Sequence, residues 1–252
     1  MLTVKLIRVL ALTVAMVVAV TGCGGIGDTV RRLTHPTTAH DVEPAASTDG
    51  LVAKARPSVV KVHGESQSCW KVTDGSGFVV APHKVMTNAH VVAGAESFSV
   101  AAETKSYGAQ VVSYDPQADI AILDVPDLAA EPLEFAEYTA GTGTDALVLG
   151  YPGAASFTAS PVQVRQVIDL NGPDIYRATI VTREVYLLVG SFAQSGASGS
   201  ALVDLYGHVL GVFFGAGTND STTGFAMTAE EVAPQMARVH GRQPADTGGC
   251  VI

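Results

Sequence analysis

The chain has 252 residues, 47% of them hydrophobic and 15% charged, so it can bury one large domain or two small barrels. Its formal net charge of −9 argues against a nucleic-acid partner. The 26 glycines and 12 prolines indicate many turns, which is typical of a β-rich protein.

The N-terminus has the features of an export signal. Lys5 and Arg8 precede an uncharged run over residues 9–22. Small residues at the end of this run lead directly to Cys23. Such a run suits the apolar core of a secretory signal and is too short to cross a bilayer comfortably. We expect residues 1–23 to be a signal peptide with a lipobox, and Cys23 to carry a diacylglyceryl anchor. An uncleaved signal anchor is the alternative, and both place the rest of the chain outside the cytoplasm, in the periplasm or cell envelope, held at the membrane.

Residues 24–50 are rich in Gly, Thr, Ala and Pro and have no apolar periodicity, which predicts a flexible tether. From residue 51 short apolar runs bounded by turn residues predict strands. A first group of six covers 59–62, 77–81, 84–88, 97–101, 109–114 and 120–125. A second group of six covers 146–150, 162–170, 180–189, 200–203, 208–214 and 224–227. Two groups of six suggest two barrels, although periodicity alone also allows a sandwich.

Three residues stand in contexts that suggest nucleophilic catalysis. His90 lies in Thr-Asn-Ala-His-Val-Val, Asp119 begins Asp-Ile-Ala-Ile-Leu, and Ser198 lies in Gly-Ala-Ser-Gly. Taken one at a time, they could be a core histidine, a turn cap and a loop serine. Together they follow the order His, Asp, Ser of the chymotrypsin-type triad, at intervals of 29 and 79 residues.

With these motifs in this order, the chain from about residue 51 resembles a trypsin-like serine protease of the HtrA/Deg branch. Within that branch it is similar to the membrane-anchored periplasmic proteases of actinobacteria of the MarP type. The resemblance implies an all-β, chymotrypsin-like fold of two six-stranded antiparallel β-barrels with a short C-terminal helix. The first barrel would cover about 51–130, the second about 140–228, and the helix and tail 229–252, all in one protease domain over 51–252.

The resemblance also implies a role for each motif residue. Ser198 would attack the scissile carbonyl, His90 would accept the serine proton, and Asp119 would hold the imidazole in the required tautomer. The backbone N–H groups of Gly196 and Ser198 would form the oxyanion hole. Ser76, between two glycines, would lie at the entry of a barrel strand and is not expected to be a nucleophile.

The substrate pocket is expected from the same resemblance. Phe192 falls near the pocket floor, Phe213, Phe214 and Gly215 near its wall, and Phe225 opposite. Since no acidic residue stands at the floor position, we expect an apolar residue before the scissile bond rather than Lys or Arg.

We therefore expect a serine endopeptidase that hydrolyses peptide bonds in extracytoplasmic proteins or peptides. The alternative is a catalytically silent lipoprotein of the same fold that binds a partner through its cleft. The chain has neither Cys-x-x-Cys nor His-Glu-x-x-His, so we expect no metal and no cofactor.

The C-terminal part carries two further predictions. Thr228 is followed three residues later by Glu231, a capping-box pattern that predicts the start of a helix, with Pro234 inside it. If Cys23 carries lipid, Cys69 and Cys250 remain as a disulfide pair in an oxidising compartment, and two unpaired thiols are the alternative.

Overall fold

The described part of the chain comprises residues 48–154, 156–192, 196–218 and 220–251 in a computed structural model. The predicted signal peptide, the lipid-carrying Cys23 and nearly all of the predicted tether lie outside these residues. Within them, no helix has both the length and the apolar character needed to cross a membrane.

The first six strands close into an antiparallel barrel. Their order around the barrel is β1, β2, β3, β6, β5, β4. The strands are β1 Val59–Ser66, β2 Lys71–Ala81, β3 Lys84–Thr87, β4 Ser97–Ala102, β5 Lys105–Asp115 and β6 Ile120–Asp124. Small β-branched residues such as Val62, Val85 and Val100 fill the interior and are fully buried.

The second six strands close into another antiparallel barrel, in the order β10, β11, β12, β9, β8, β7. The strands are β7 Asp145–Gly150, β8 Thr158–Pro173, β9 Ile180–Val189, β10 Ala201–Asp204, β11 Val209–Gly217 and β12 Asp220–Thr228. Each of the twelve strands overlaps one that the sequence predicts, so the expected two-barrel fold is confirmed, and the sandwich is not found.

A single apolar cluster joins the two barrels. Phe78, Met86 and Ile122 of the first barrel pack in it with Leu149 and Met227 of the second. Burying each side chain of this size stabilises the fold by about 1.5–3 kcal/mol. The cluster therefore holds the two barrels together as a platform for residues at their junction.

Three α-helices, α1 Asp49–Ala55, α2 Ala89–Val92 and α3 Ala229–Met236, and two 3₁₀ helices, Arg56–Ser58 and Pro152–Ala154, complete the described chain. The Thr228 hydroxyl accepts a hydrogen bond of 3.1 Å from the backbone N–H of Glu231, which confirms the predicted cap of α3. Pro234 lies inside α3, and the helix ends two residues later.

The C-terminal tail returns to the first barrel. Cys69, in the turn between β1 and β2, is joined to Cys250 by a disulfide, as the sequence predicts. Gly94 N donates to Thr247 O at 3.0 Å, and the Thr247 hydroxyl donates to Ala95 O at 3.1 Å. Ala245 N also donates to Val111 O at 2.8 Å, so the tail is bonded to the first barrel at several places.

Candidate active site

His90 lies at the junction of the two barrels, on a single helical turn. Strand β3 ends at Thr87, and α2 begins two residues later, so the apolar run around His90 is helical there rather than extended. Val91 and Val92, which follow it, are almost fully buried and anchor the turn. The side chain of His90 keeps 30% of its surface exposed.

Asp119 immediately precedes β6 and adopts a left-handed backbone conformation, with φ of 55°. Aspartate is among the few residues that accept this conformation. The turn before it is closed by Asp115, whose carboxylate accepts from Gln117 N at 3.0 Å and Ala118 N at 2.9 Å. The turn brings the Asp119 carboxylate, 7% exposed, under α2.

Asp119 and His90 are joined through both the backbone and the ring. The backbone N–H of His90 donates to Asp119 Oδ1 at 2.9 Å, and its ring Nδ1 lies 2.8 Å from Oδ2. The amide of Asn88 donates to Asp119 O at 2.8 Å. Sequence reasoning did not assign this role to Asn88, although its place two residues before the histidine was visible.

The carboxylate determines the tautomer and raises the pKa of His90. Because an ionised carboxylate only accepts hydrogen bonds, Nδ1 carries the proton, and in the neutral ring Nε2 is the proton acceptor. Burial by itself lowers the pKa of His90, but the charge of Asp119 and its hydrogen bond outweigh burial, and the net pKa is above 6.5.

Ser198 lies in the turn before β10, between two glycines that both have a φ of 85°. Only glycine adopts this conformation without strain, so Gly196 and Gly199 allow the sharp turn that presents the serine. Gly199 N donates to Phe213 O at 2.8 Å. The Ser198 hydroxyl donates to Phe214 O at 3.4 Å, and within the described chain no hydrogen bond joins it to His90.

Gly75 lets the segment after His90 and the turn that carries Ser198 approach each other closely. A Cβ atom at this position would lie 2.7 Å from the methyl groups of Val91 and 3.2 Å from Ser198 O. A side chain there would therefore separate the residue after His90 from the serine turn. From its sequence context, this glycine was expected only to be part of a strand entry.

The cleft that contains His90 and Asp119 has a volume of about 600 Å³, and Phe214 lines its other side. Arg183 of β9 lines it too and is 7% exposed. Its Nε donates to Gln117 O at 2.7 Å, so the second barrel supports the turn that precedes Asp119. This contact was not visible in the sequence.

Within the described residues, Phe214 and Phe192 of the predicted substrate pocket line two separate cavities. Phe192 stacks on Phe213 with ring centroids 5.1 Å apart, and Phe213 is a core residue of the second barrel. Phe214 lines the cleft that contains His90 and Asp119, and its ring centroid lies 6.2 Å from that of Phe225. Phe192 lines a separate cavity of about 190 Å³, so the pocket stays a prediction.

Within the described residues, no group of three or more His, Cys, Asp or Glu side chains is placed to hold a metal ion. His63 is bonded to Asp74 at 2.9 Å, and His208 to Asp204 at 3.1 Å. The expectation that the chain needs no cofactor remains an expectation.

The comparison with known families decides the classification. A profile described as trypsin-like peptidase domain matches residues 75–212. The chain belongs to the trypsin-like serine proteases. It is 51% identical to serine protease Rv3671c of Mycobacterium tuberculosis over 210 residues, which are 83% of this chain and 53% of that protein. This trypsin-like protease chain thus spans about half the length of the curated relatives it matches.

Solved structures give the same result for the fold. The active form of the Rv3671c protease from M. tuberculosis superposes with a TM-score of 0.80 at 50% identity, covering 83% of this chain and 92% of that one. The inactive form gives 0.70 at 48% identity, covering 79% and 97%. A serine endoprotease from Yersinia pestis shares the fold at a TM-score of 0.64 and 24% identity, covering 78% and 68%.

Proposed function

We propose that this trypsin-like protease is a serine endopeptidase that uses His90, Asp119 and Ser198 as its catalytic triad. One observation carries the proposal: the Asp119 carboxylate is bonded to both the backbone N–H and the ring Nδ1 of His90, beside the turn that presents Ser198. This arrangement holds the ring in the tautomer that a general base requires.

In the proposed reaction, the Ser198 hydroxyl first leaves Phe214 O and donates to Nε2 of His90. Its proton passes to Nε2 as Oγ attacks the scissile carbonyl, and the carbonyl oxygen becomes an oxyanion. His90 then gives the proton to the leaving amine, and an acyl-enzyme forms. Water, activated by the same imidazole, hydrolyses the ester and restores the serine. Asp119 stabilises the imidazolium in both steps without taking its proton.

The oxyanion is assigned to the backbone N–H groups of Gly196 and Ser198. Both belong to the turn in which Gly196 and Gly199 have positive φ values. Preorganised N–H donors of this kind lower the barrier most when they are held in place before the substrate arrives.

For the residue before the scissile bond we retain an apolar preference. Phe214 supplies an aromatic wall to the catalytic cleft. Phe192, Phe213, Gly215 and Phe225 remain the proposed surroundings of that subsite. The substrates would be proteins or peptides outside the cytoplasm.

We further propose that the protein acts in the periplasm or cell envelope and is held at the membrane through Cys23. The disulfide between Cys69 and Cys250 supports an oxidising compartment, because such bonds persist there and are rare in the cytosol. A relative 30% identical over 144 residues is described as a probable periplasmic serine protease of Haemophilus influenzae. Membrane fractionation of wild type and Cys23→Ser tests the anchor: loss of membrane association and of lipid mass is expected, and an intact segment 1–22 in the mature protein contradicts it.

A fluorophosphonate probe tests the activity. Such a probe reacts with an activated serine and leaves inert hydroxyls untouched. Labelling of the wild type that disappears in both Ser198→Ala and His90→Ala is expected. A folded wild-type protein that is not labelled, and does not cleave casein, points instead to the silent binding protein.

A further inference from the structure

Ser76 occupies the place where the first barrel meets the serine turn of the second. It lies on β2, is fully buried, and belongs to a stretch of small residues between two glycines. Its backbone N–H donates to Ser198 O at 2.7 Å. Asp74, two residues earlier on β2, lines the cleft, but the Ser76 hydroxyl is buried and so has no direct part in the chemistry described above.

The hydroxyl of Ser76 makes two hydrogen bonds in opposite senses. It donates to Gly196 O at 2.8 Å and accepts from Tyr151 N at 2.8 Å. A carbonyl oxygen only accepts and a backbone N–H only donates, so the position of the hydroxyl proton is determined by these partners. The Ser76 carbonyl in turn accepts from the Thr87 hydroxyl at 2.7 Å, so the serine is itself held firmly.

Gly196 needs such an anchor. As a glycine with φ of 85° it has wide rotational freedom about both backbone bonds, and nothing in its own side chain can restrict them. A hydrogen bond to the Gly196 carbonyl restricts the ψ rotation of Gly196. This rotation belongs to the residue whose N–H the proposed oxyanion hole uses. Ser76 N fixes the carbonyl of Ser198 in the same way, so one residue restrains both donor-bearing residues.

The other side of Gly196 is closed by the turn after β7. A Cβ atom on Gly196 would lie 3.1 Å from Tyr151 O and 3.1 Å from Ala154 N. That turn is itself tied to the first barrel, since Lys61 Nζ donates to Ala154 O at 2.9 Å and Ser76 accepts from Tyr151 N. Gly196 is therefore seated between Ser76 and a turn that Ser76 also restrains.

We propose that Ser76 is a positioning residue for the oxyanion hole: its buried hydroxyl holds Gly196 and its backbone N–H holds Ser198. The inference rests on the proposed endopeptidase function. It assigns to the first barrel a role in transition-state stabilisation, in addition to supplying the base. Ser76 touches neither the substrate nor the reacting atoms.

Ser76→Ala removes the hydroxyl and leaves the backbone contact. We expect the rate of fluorophosphonate labelling to fall about 10- to 100-fold, since small displacements of oxyanion donors are costly. The acid limb of the pH profile should not move, because the bonds between His90 and Asp119 are untouched. Affinity for a non-hydrolysable product peptide should also stay within about twofold.

Ser58→Ala is the matched control. Ser58 is also buried, and its hydroxyl donates to the backbone carbonyl of Glu131 at 2.6 Å, away from the serine turn. It should lose comparable thermal stability and keep the wild-type labelling rate. Equal labelling rates in wild type, Ser58→Ala and Ser76→Ala overturn the proposal.

Two further measurements keep the test decisive. Ser76→Cys, whose thiol is a weak donor, should label at a rate between wild type and Ser76→Ala, and a wild-type rate in this variant contradicts the proposal even if Ser76→Ala does not fold. Amide hydrogen exchange over residues 196–199 should be faster in Ser76→Ala than in Ser58→Ala. Exchange needs no turnover, so unchanged exchange rejects the role of Ser76, whereas absent labelling of the wild type rejects the proposed function.

Discussion

The two barrels hold their parts of the site by different means. In the first barrel, His90 and Asp119 are joined to each other by backbone and side-chain hydrogen bonds, and Asn88 bonds the same aspartate. In the second barrel, Ser198 is placed by glycine turns, and its hydroxyl donates to Phe214 O rather than to His90.

This difference indicates where the reaction begins. In the proposed reaction His90 already has the tautomer that a general base requires, so the first barrel needs no rearrangement. The serine hydroxyl has to exchange a 3.4 Å bond to Phe214 O for one to Nε2. Catalytic hydrogen bonds that are absent without substrate often form in the complex. The second barrel is thus the part whose local conformation substrate binding would change.

The largest effect is expected from removing the side chain that either barrel contributes to the proposed pair of nucleophile and base. Ser198→Ala and His90→Ala should each lower kcat by about 10⁶, because a nucleophile and its base act as a unit. Casein hydrolysis with active-site titration measures this loss. His208→Ala is the control, since His208 also pairs with an aspartate, Asp204, but outside the cleft, and it should keep full activity. Activity within tenfold of wild type in Ser198→Ala would exclude the assigned nucleophile.

Asp119→Asn tests how much the first barrel depends on its carboxylate. We expect kcat to fall by about 10⁴, because an amide can favour the wrong tautomer of His90 while leaving the shape unchanged. Steady-state kinetics with a peptide substrate, together with an unchanged circular dichroism spectrum, measures the effect. A loss below about tenfold would mean that His90 does not need Asp119 as its orienting group.

Removing the disulfide tests how much the link between the first barrel and the tail stabilises the folded protein. The bridge between Cys69 and Cys250 spans 181 residues. Chain entropy for so long a loop gives up to about 5 kcal/mol of stability. The Cys69→Ala/Cys250→Ala double variant should therefore unfold at lower urea concentration. An unchanged unfolding midpoint would show that the hydrogen bonds of the tail hold it without the disulfide.

Asn88→Ala probes the support of Asp119. Asn88 is fully buried, and its amide bond to Asp119 O would be lost. Leaving a buried acceptor unpaired costs about 1–3 kcal/mol, measured by urea unfolding. We also expect kcat to fall about tenfold, since Asp119 would be less well held. A variant that is destabilised but keeps the wild-type kcat would confine the role of Asn88 to stability.

The pH dependence gives the smallest and most specific effect. Because the pKa of His90 is raised above 6.5, kcat/KM should decline on the acid side with a midpoint above 6.5, as the base becomes protonated. The stability linked to His90 has the opposite dependence: it is complete below 6.5 and is lost as pH rises through the raised pKa. In Asp119→Asn the acid midpoint should shift downward, because burial then dominates. An unmoved midpoint would assign the acid limb to another group.

The sequence by itself predicted the twelve strands and the capped C-terminal helix, and it offered the pairing of Cys69 with Cys250 on the expectation that Cys23 carries lipid. The strands and the helix follow from local patterns: short apolar runs, turn residues between these runs, and a Thr with Glu three positions later. It also pointed to His90, Asp119 and Ser198, because each stands in a short motif whose order along the chain carries information.

Only the tertiary structure decided how distant segments meet. Asn88 and Ser76 have no local signal for their contacts, which join residues 31 and 120 positions apart. Arg183 supports the turn before Asp119 across 66 positions. The aromatic residues predicted to share a pocket lie in different surroundings, since Phe213 is drawn into the core while Phe214 faces the cleft. Neighbours on a strand point to opposite faces, and which face meets the substrate depends on how the second barrel closes against the first.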